Sequence, residues 1–470
     1  MPYIKKLWKT RKLPKNSRIV STFHYSNYKH KRNINVLLSK KISTFAFLFL
    51  TSQKIKMIKF DKFILDNGLK VIVHKDESTP IVAFNVLYNV GARDENPEKT
   101  GFAHLFEHLM FGGSVNIPRF DKPLEKVGGE NNAFTNSDLT NYYLTLPKQN
   151  LETAFWLESD RMLSLAFSQK SLEVQKNVVV EEFKQSYLNQ PYGDIWLLLK
   201  PLAYKVHPYR WPTIGKNISH IENAVMKDVK DFYNKFYNPN NAILTIAGNV
   251  ELEEIKILAQ KWFGPIENIN IFVRHLPEEP AQENARELKV ERNVPFDSII
   301  KAYHICARTD QAYHAVDLLS DILSNGQSSR LYQELYKKQQ LFSDINAYIS
   351  GDIGEGLMII EGKLIKGVTI EKAENAILNE LNKICDGLID DEELQKVKNK
   401  VESNLIFAEM SILNKAMTLS YFELLGDAGQ INAETNKYLR VTKEEIIEQA
   451  KAIFKPTNCS TLFYLAKNQD

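Results

Sequence analysis

The sequence predicts an α+β protein in which one unit of strands and helices occurs twice. In the first half, an apolar strand at 81–90 precedes a helical stretch. In the second half, a strand at 298–303 and a helix at 314–324 repeat that order. Near the C-terminal ends of the halves, 455–459 resembles 238–242. We therefore expect two homologous domains, each an antiparallel β-sheet packed with helices.

Length and composition fit this organisation. The chain has 470 residues, of which 44% are hydrophobic and 25% are charged, as in ordinary globular proteins. Its three cysteines are far apart and form no CxxC pair, so they predict neither a disulfide framework nor a cysteine zinc site. We expect four segments: a basic extension at 1–56, a first domain at 57–266, a linker at 267–285 and a second domain at 286–470.

The charge is divided unevenly along the chain. Residues 1–60 contain 15 Lys and Arg and no Asp or Glu, so the rest carries −12 of the net +3. An acidic body favours cationic partners such as basic peptides and argues against nucleic acid. The apolar run at 45–50 is too short to span a bilayer, so no stable transmembrane segment is expected.

The extension at 1–56 has three readings. It is a secretory signal with a late apolar region, an organellar transit peptide, or an upstream region in front of a true start at Met57. The third reading is preferred because compact patterning begins directly after Met57. It favours a cytoplasmic location, and the other two leave the periplasm, secretion or an organelle open.

The main candidate site is the stretch His104-Leu105-Phe106-Glu107-His108. On a helix, positions four apart lie on one face, so the two imidazoles point the same way and can bind one divalent metal. The carboxylate of Glu107 projects beside them and is placed to take a proton from a water molecule rather than to bind the metal. This His-x-x-Glu-His order is an inverted-zincin pattern.

The motif helix has clear sequence boundaries. Thr100 is the expected N-cap, and Gly112-Gly113 is expected to end the helix. A catalytic zinc site usually has three protein ligands and one open position, so a third ligand is needed from elsewhere. Glu181 and Glu182 lie in a later helical stretch, and spacing alone does not choose between them.

A second candidate feature is the segment 128–135, which leads into a strand at 140–146. Its Gly-Gly entry and small polar residues are typical of an exposed edge strand, to which an extended peptide can pair. An ordinary hairpin is the alternative reading.

With the motif, the later glutamates and the duplication in view, the chain resembles the M16 peptidases, the family of pitrilysin, insulin-degrading enzyme and the mitochondrial processing peptidase. The resemblance runs from about Phe60 to the C-terminus and is to the short bacterial two-domain type. It implies one half-shell of a clam-like peptidase whose closed chamber admits unfolded peptides or oligopeptides.

The resemblance also implies residue roles. His104 and His108 would bind one Zn2+ per chain, and Glu107 would be the general base. The segment 177–182 matches the family's ligand segment, which selects Glu182 over Glu181. The residues Asn132, Ala133 and Phe134 match the edge strand on which these enzymes hold substrate.

The chain departs from the family pattern in two places. A supporting acidic residue usually stands seven positions before the ligand glutamate, where this chain has Gln175. The second half usually offers an arginine and, seven residues on, a tyrosine, where this chain has Tyr336 and Ser343. We therefore expect a heterodimer with a zinc-free M16-like sister subunit that supplies the Arg/Tyr pair, with a homodimer as the alternative.

The expected function is zinc-dependent endopeptidase activity, with this chain as the catalytic subunit. The alternative from the same fold is a non-catalytic structural or targeting subunit of a larger complex. Members of that kind tend to lose motif residues, whereas this chain keeps all four of the candidate metal and base positions.

Overall fold

The computed structural model describes residues 57–268 and 273–467. The predicted extension at 1–56 lies outside the described residues, as does a short part of the predicted linker. The chain from Ile58 onward forms one compact unit. None of the helices in the described part combines the length and the apolar character that crossing a membrane requires.

Two sheets form the framework. The first contains β1 (Asp61–Ile64), β2 (Lys70–Lys75), β3 (Ile81–Tyr88), β4 (Glu130–Thr135), β5 (Thr140–Pro147) and β6 (Ala242–Gly248). Its spatial order is β1-β2-β6-β3-β5-β4. The second contains β7 (Arg286–Arg292), β8 (Ser298–His304), β9 (Phe342–Ile349), β10 (Leu357–Leu364) and β11 (Cys459–Ala466). Its order is β7-β11-β8-β10-β9.

Helices follow the strands in both halves. The first half has α1 (Phe102–Met110), α2 (Asp121–Lys126), α3 (Leu151–Leu163), α4 (Gln169–Phe183), α5 (Ile195–Ala203), α6 (Ile218–Glu222), α7 (Met226–Phe236) and α8 (Leu252–Trp262). The second has α9 (Tyr313–Ser324), α10 (Ile370–Cys385), α11 (Asp391–Ala408), α12 (Ile412–Leu424), α13 (Glu434–Arg440) and α14 (Lys443–Ile453). The expected mixed architecture with two sheets is confirmed.

The prediction that both sheets are antiparallel needs a correction. Each sheet contains one parallel pair, β2 with β6 and β7 with β11. In both cases the later strand of the pair returns to the sheet after a long run of helices, and only such a crossover allows parallel pairing. The other strand pairs are antiparallel, including the hairpin of β1 and β2.

The rotation of α1 is set by its apolar face. Phe102, Phe106 and Leu109 follow helical spacing and are buried in the core of the first half. Phe106 also stacks on Phe232 of α7, with ring centroids 5.0 Å apart. Each buried side chain of this size contributes on the order of 2 kcal/mol. The polar positions of α1 are thereby turned to the opposite side.

Each half packs one of its helices against the other half. On α12 of the second half, Leu419 and Phe422 pack into one apolar cluster with residues of β2, β3 and β6 in the first sheet. In the same contact, Ser420 Oγ accepts a hydrogen bond of 2.9 Å from the buried Asn85 side chain. In return, Leu199 of α5 is buried with Ile300 of the second sheet. Each half therefore completes the packing of the other.

The second half carries a modified copy of the motif helix. On α9, Asp317 and Asp321 stand at the positions that correspond to His104 and His108. Asp317 accepts a hydrogen bond of 2.5 Å from Tyr438, and Asp321 accepts one of 2.5 Å from Asn325. Within the described residues, these aspartates do not belong to any cluster that could hold a metal ion.

The titration of Asp321 generates a stability prediction. Burial raises the pKa of Asp321 from 3.8 to about 6, so the folded chain binds more protons than the unfolded chain between those values. The contribution of Asp321 to the free energy of unfolding therefore falls as the pH rises through this window. Asp321→Asn should be more stable relative to wild type at pH 7.5 than at pH 4. We expect a change on the order of 1–2 kcal/mol, because partial exposure screens the shift.

Urea unfolding of both proteins at pH 4 and pH 7.5 measures this difference. Glu448→Gln, on the exposed face of α14, is the control because it removes a carboxyl group outside the core. If the stability of Asp321→Asn relative to wild type is unchanged or lower at pH 7.5 than at pH 4, the assignment is wrong.

Candidate metal centre

Two helices bring three side chains together. His104 and His108 lie one turn apart on α1, and α4 packs beside α1 and carries Glu182. The two Nε2 atoms are 3.4 Å apart. The Glu182 Oε2 atom is 3.7 Å from the Nε2 atom of His104 and 3.4 Å from that of His108. These atoms form the one group in the described part of the chain that has metal-binding spacing.

The spacing fits a tetrahedral ion. Two atoms bound to zinc at about 2.0–2.1 Å, at a tetrahedral angle, lie about 3.4 Å apart. The three observed separations match that value closely. The imidazole planes of His104 and His108 are nearly perpendicular, at 89°, which lets both Nε2 atoms face one point. Two nitrogens and one carboxylate oxygen are also a donor set that zinc prefers.

The electrostatics of the site favour the neutral imidazole of His104 and the ionised carboxylate of Glu182. Burial lowers the pKa of the His104 imidazole, which favours the neutral form whose lone pair can bind a metal. The hydrogen bond from His108 holds the pKa of Glu182 below its ordinary value, which keeps that carboxylate ionised. The side chain of Glu182 is 44% exposed, so the site is open to solvent on that side.

The structure separates the two adjacent glutamates that the sequence left open. Glu181 points to solvent, where its exposed carboxylate pairs with Lys184 at 2.8 Å. One residue further along α4 is a rotation of about 100°, which turns Glu182 toward α1. Glu182 is therefore the residue that approaches the imidazoles, as the family resemblance implies.

Glu107 lies beside the cluster but is not part of it. Its Oε2 atom accepts a hydrogen bond of 2.6 Å from the hydroxyl of Thr135, the last residue of β4. Because the three-atom cluster contains no atom of Glu107, the carboxylate is available for chemistry other than metal binding.

The start of α1 differs from the sequence prediction. Thr100 does not cap the helix. Gly101 is the N-cap residue and provides no side-chain cap, while the Thr100 hydroxyl contacts His220. The capping carboxylate comes from Glu95, which accepts hydrogen bonds of 2.9 Å from the backbone N–H groups of Gly101 and Ala103. When this carboxyl group is ionised, its negative charge also interacts favourably with the helix dipole.

Glu95 is buried and held by a third donor. Trp211 Nε1 donates to Glu95 Oε2 at 3.1 Å and also to the carbonyl oxygen of Ala92. Burial raises the pKa of Glu95 to about 8, while its backbone hydrogen bonds and Trp211 act in the opposite direction. The cap thus ties the beginning of α1 to a distant loop.

That loop also joins the two halves. Tyr209 donates a hydrogen bond of 2.5 Å to the buried Asp138. Asp138 also receives a hydrogen bond of 2.5 Å from Arg93 and one of 2.8 Å from the backbone of Ile353 in the second half. In addition, the Gly354 N–H donates to the Tyr209 hydroxyl at 2.9 Å. Asp138 is therefore a shared acceptor for donors from both halves.

The predicted edge strand is confirmed in position. β4 is the last strand of its sheet and pairs only with β5 among the described strands. The exposed residues Asn132 and Phe134 alternate with Ala133, which is half-buried against the core that includes α1. The structure thus places these residues beside the motif helix, with one backbone edge open.

The position where the family usually has an acidic residue is occupied by Gln175, and one ligand imidazole lacks a hydrogen-bond acceptor for its second nitrogen. Gln175 lies two turns before Glu182 on α4, and its side chain makes no hydrogen bond within the described residues. In the same part of the chain, the buried Nδ1 atom of His104 has no hydrogen-bond partner. A ligand histidine usually donates this second N–H to a neighbouring acceptor.

Sequence comparisons agree with the duplicated architecture. The profile of "Insulinase (Peptidase family M16)" matches residues 70–196. The profile of "Peptidase M16 inactive domain" matches residues 224–401. The chain belongs to peptidase family M16. The metal cluster lies in the first of the two matched M16 regions, and the modified helix α9 lies in the second.

Curated relatives of this M16 chain include several bacterial proteins. It is 29% identical to the zinc protease PqqE of Helicobacter pylori over 411 residues, which cover 86% of this chain and 92% of that protein. It is 24% identical to the uncharacterized zinc protease YmxG of Bacillus subtilis, over 85% of this chain and 96% of that protein.

Solved structures agree on the fold. A protease from Helicobacter pylori superposes with a TM-score of 0.82 at 28% identity and covers 87% of this M16 chain and 100% of its own. An M16 inactive-domain structure from Pseudomonas fluorescens has a TM-score of 0.78 at 17% identity, over 87% of this chain and 98% of its own. The second likeness concerns the fold alone.

Glu95 and Thr135 were missed in the sequence. Glu95 lies between the first predicted strand and the motif helix, and Thr135 ends the predicted edge strand. One signal could have indicated that Glu95 caps the helix: it is an acidic residue shortly before a helix whose N-cap residue, a glycine, has no side chain to do so. Thr135 gave no comparable signal, because its partner is set by the packing of β4 on α1.

The two neighbouring glutamates allow a matched test of the metal centre. Glu182→Ala removes one of three converging donors and should weaken zinc binding by about 100-fold or more. Glu181→Ala removes an exposed carboxylate that points away, so it should bind zinc as wild type does. Competition with a fluorescent zinc chelator measures both affinities. Equal affinities for the two variants would exclude Glu182 as a ligand.

Proposed function

We propose that this chain is a zinc-dependent metalloendopeptidase. The observation that carries the proposal is the convergence of the two imidazoles and the Glu182 carboxylate, with 3.4–3.7 Å between their ligand atoms and a further carboxylate close by. Zinc bound there would polarise a carbonyl and lower the pKa of a water molecule. The curated relatives named zinc proteases support the same reading.

Glu107 is the residue proposed to move the proton. Its carboxylate stands on the same helix as the two imidazoles and is held by Thr135 rather than by the cluster. In the proposed reaction it takes a proton from the attacking water and returns it to the leaving amine. One group can do both because the two transfers occur in succession at the same bond.

The proposed substrate is an unfolded peptide or oligopeptide in an extended conformation. The open edge of β4 offers unpaired backbone groups to such a chain, and strand addition would use them. Asn132, Ala133 and Phe134 would contact the peptide there, with the exposed Phe134 ring as an apolar surface for a side chain. Most extended strands of a folded protein are already paired in its own sheets, so an unfolded chain offers such a strand more readily.

If Glu107 is the general base, its substitution should stop peptide cleavage without affecting zinc binding. Glu107→Gln keeps the shape of the side chain and removes its basicity, so zinc content should remain at one ion per chain. Turnover of a quenched peptide should fall about 10²–10⁴-fold. Glu181→Gln is the control, since it changes an exposed glutamate on the facing helix. Turnover at the wild-type rate in Glu107→Gln would remove Glu107 from the reaction.

The alternative is a non-catalytic M16 subunit with a structural or targeting role. It is favoured by one observation, the lack of a hydrogen-bond acceptor for His104 Nδ1 among the described residues. The discriminating result is peptide cleavage that stops on treatment with a metal chelator and returns when zinc is restored. A subunit of the alternative kind would show no such zinc-dependent cleavage.

We also propose that the active form contains a second, similar subunit. At the positions where family members carry the Arg/Tyr pair, this chain has Tyr336, which is 38% exposed and stacks on Tyr332, and Ser343 at the start of β9. Neither side chain is cationic, so the chain itself does not replace the missing arginine at these positions. A zinc-free M16-like sister would supply the pair, and a homodimer is the alternative.

Reconstitution tests the partner. Addition of a zinc-free M16-like sister from the same source should raise turnover about 100-fold, the typical contribution of one transition-state donor. Light scattering after co-purification should show one copy of each chain. Full-rate cleavage by the pure chain, as a monomer in light scattering, would contradict the heterodimer. A homodimer with full activity would establish the alternative.

A further inference from the structure

The Glu107 carboxylate is held by one protein hydrogen bond. Thr135 Oγ1 donates to Glu107 Oε2 at 2.6 Å, and no other described residue donates to this carboxylate. A glutamate side chain has several rotatable bonds, so a single short hydrogen bond has a strong influence on where its oxygens point. The second oxygen, Oε1, is left available to a water molecule.

Thr135 reaches Glu107 because of the alternation of side chains along β4. Asn131, Ala133 and Thr135 are half-buried on one face of the strand, while Asn132 and Phe134 are exposed on the other. The half-buried face is the one that packs near α1. A shift of one residue in the register of β4 would turn the hydroxyl away from the helix.

The backbone of Thr135 is fixed by strand pairing and by the turn that follows it. It pairs with Thr140 of β5 at the end of the β4–β5 hairpin. The turn that follows is closed by a hydrogen bond of 3.0 Å from the Asn136 N–H to the Leu139 carbonyl. The turn also carries Asp138, the acceptor shared by both halves. The hydroxyl donor therefore sits on a rigid support rather than on a mobile loop.

We propose that Thr135 is a positioning residue, whose hydroxyl holds the Glu107 carboxylate in the orientation that takes the proton from the attacking water. The proposal rests on the peptidase function proposed above and extends it. It also links two parts of the site, because the strand that ends at Thr135 is the strand whose open edge would pair with the peptide. The register of the substrate and the orientation of the base are then set by one element.

Two substitutions separate this role from a structural one. Thr135→Val has nearly the same shape, suits a β-strand and lacks the donor, whereas Thr135→Ser keeps the hydroxyl. With zinc bound and the partner subunit present, Thr135→Val should lower kcat about 10- to 100-fold with little change in KM. Thr135→Ser should restore most of the rate. Zinc content should be the same in all three proteins.

The matched control is Thr145→Val on β5. Thr145 is half-buried on the neighbouring strand, and its hydroxyl makes no hydrogen bond within the described residues. It undergoes the same chemical change and should keep the wild-type kcat. An equal loss in Thr145→Val and Thr135→Val would assign the effect to the sheet and overturn the proposal.

A crystal structure of each Thr135 variant gives a readout that does not depend on activity. Glu107 should leave its wild-type position or adopt several conformations in Thr135→Val and should stay in place in Thr135→Ser. An unmoved Glu107 with wild-type kcat in Thr135→Val would overturn the proposal. If wild type and Glu107→Gln cleave peptides equally poorly, the peptidase function itself fails, and the crystallographic comparison still decides whether Thr135 holds the carboxylate.

Discussion

The geometry of the site depends on the orientation of one nine-residue helix. α1 carries both imidazoles and the candidate base, so a rotation by one residue position, about 100°, would turn all three away from α4. Two interactions prevent such a rotation. The buried aromatic face of α1 fixes its angle on the sheet, and the Glu95 carboxylate binds its first N–H groups. The energy that holds the site is therefore mostly apolar burial, and one buried carboxyl group, that of Glu95, fixes the start of the helix.

The second half supports this helix without having a metal cluster of its own among the described residues. Its helix α12 covers one face of the first sheet, and the backbone of Ile353 donates to Asp138, which also binds Arg93 close to the Glu95 cap. In the corresponding helix α9, aspartates bonded to Tyr438 and Asn325 replace the imidazoles. The second half thus contributes packing to the site and has aspartates where the first half has the imidazoles.

Much of the site followed from the sequence because it depends on local periodicity. The spacing of His104 and His108 places both on one helical face in any context. Glu182 was different, since spacing allowed Glu181 equally and only the family resemblance chose between them. The rotation of α4 against α1 gives the physical reason for that choice, because it turns Glu181 toward Lys184 and solvent.

The features that the sequence did not reveal all depend on contacts between distant segments. The Glu95 cap requires Trp211 from a loop more than a hundred residues later, and Thr100 looked equally suitable by local rules. The packing of α5 and α12 on the opposite halves cannot be read from the sequence, because an apolar helix face does not specify its partner. The parallel strand pairs likewise leave no periodic pattern in the sequence. The role of Thr135 could not be predicted for the same reason, because its hydroxyl reaches Glu107 only through the packing of β4 on α1.

The central claim is that one zinc ion is bound by these three side chains. Anomalous diffraction from crystals of the zinc-loaded chain, collected on both sides of the zinc absorption edge, tests it most directly. The account predicts a single strong peak about 2.0–2.2 Å from the Nε2 atoms of His104 and His108 and from the carboxylate of Glu182. A peak coordinated by other residues, or none between α1 and α4 at saturating zinc, would contradict it.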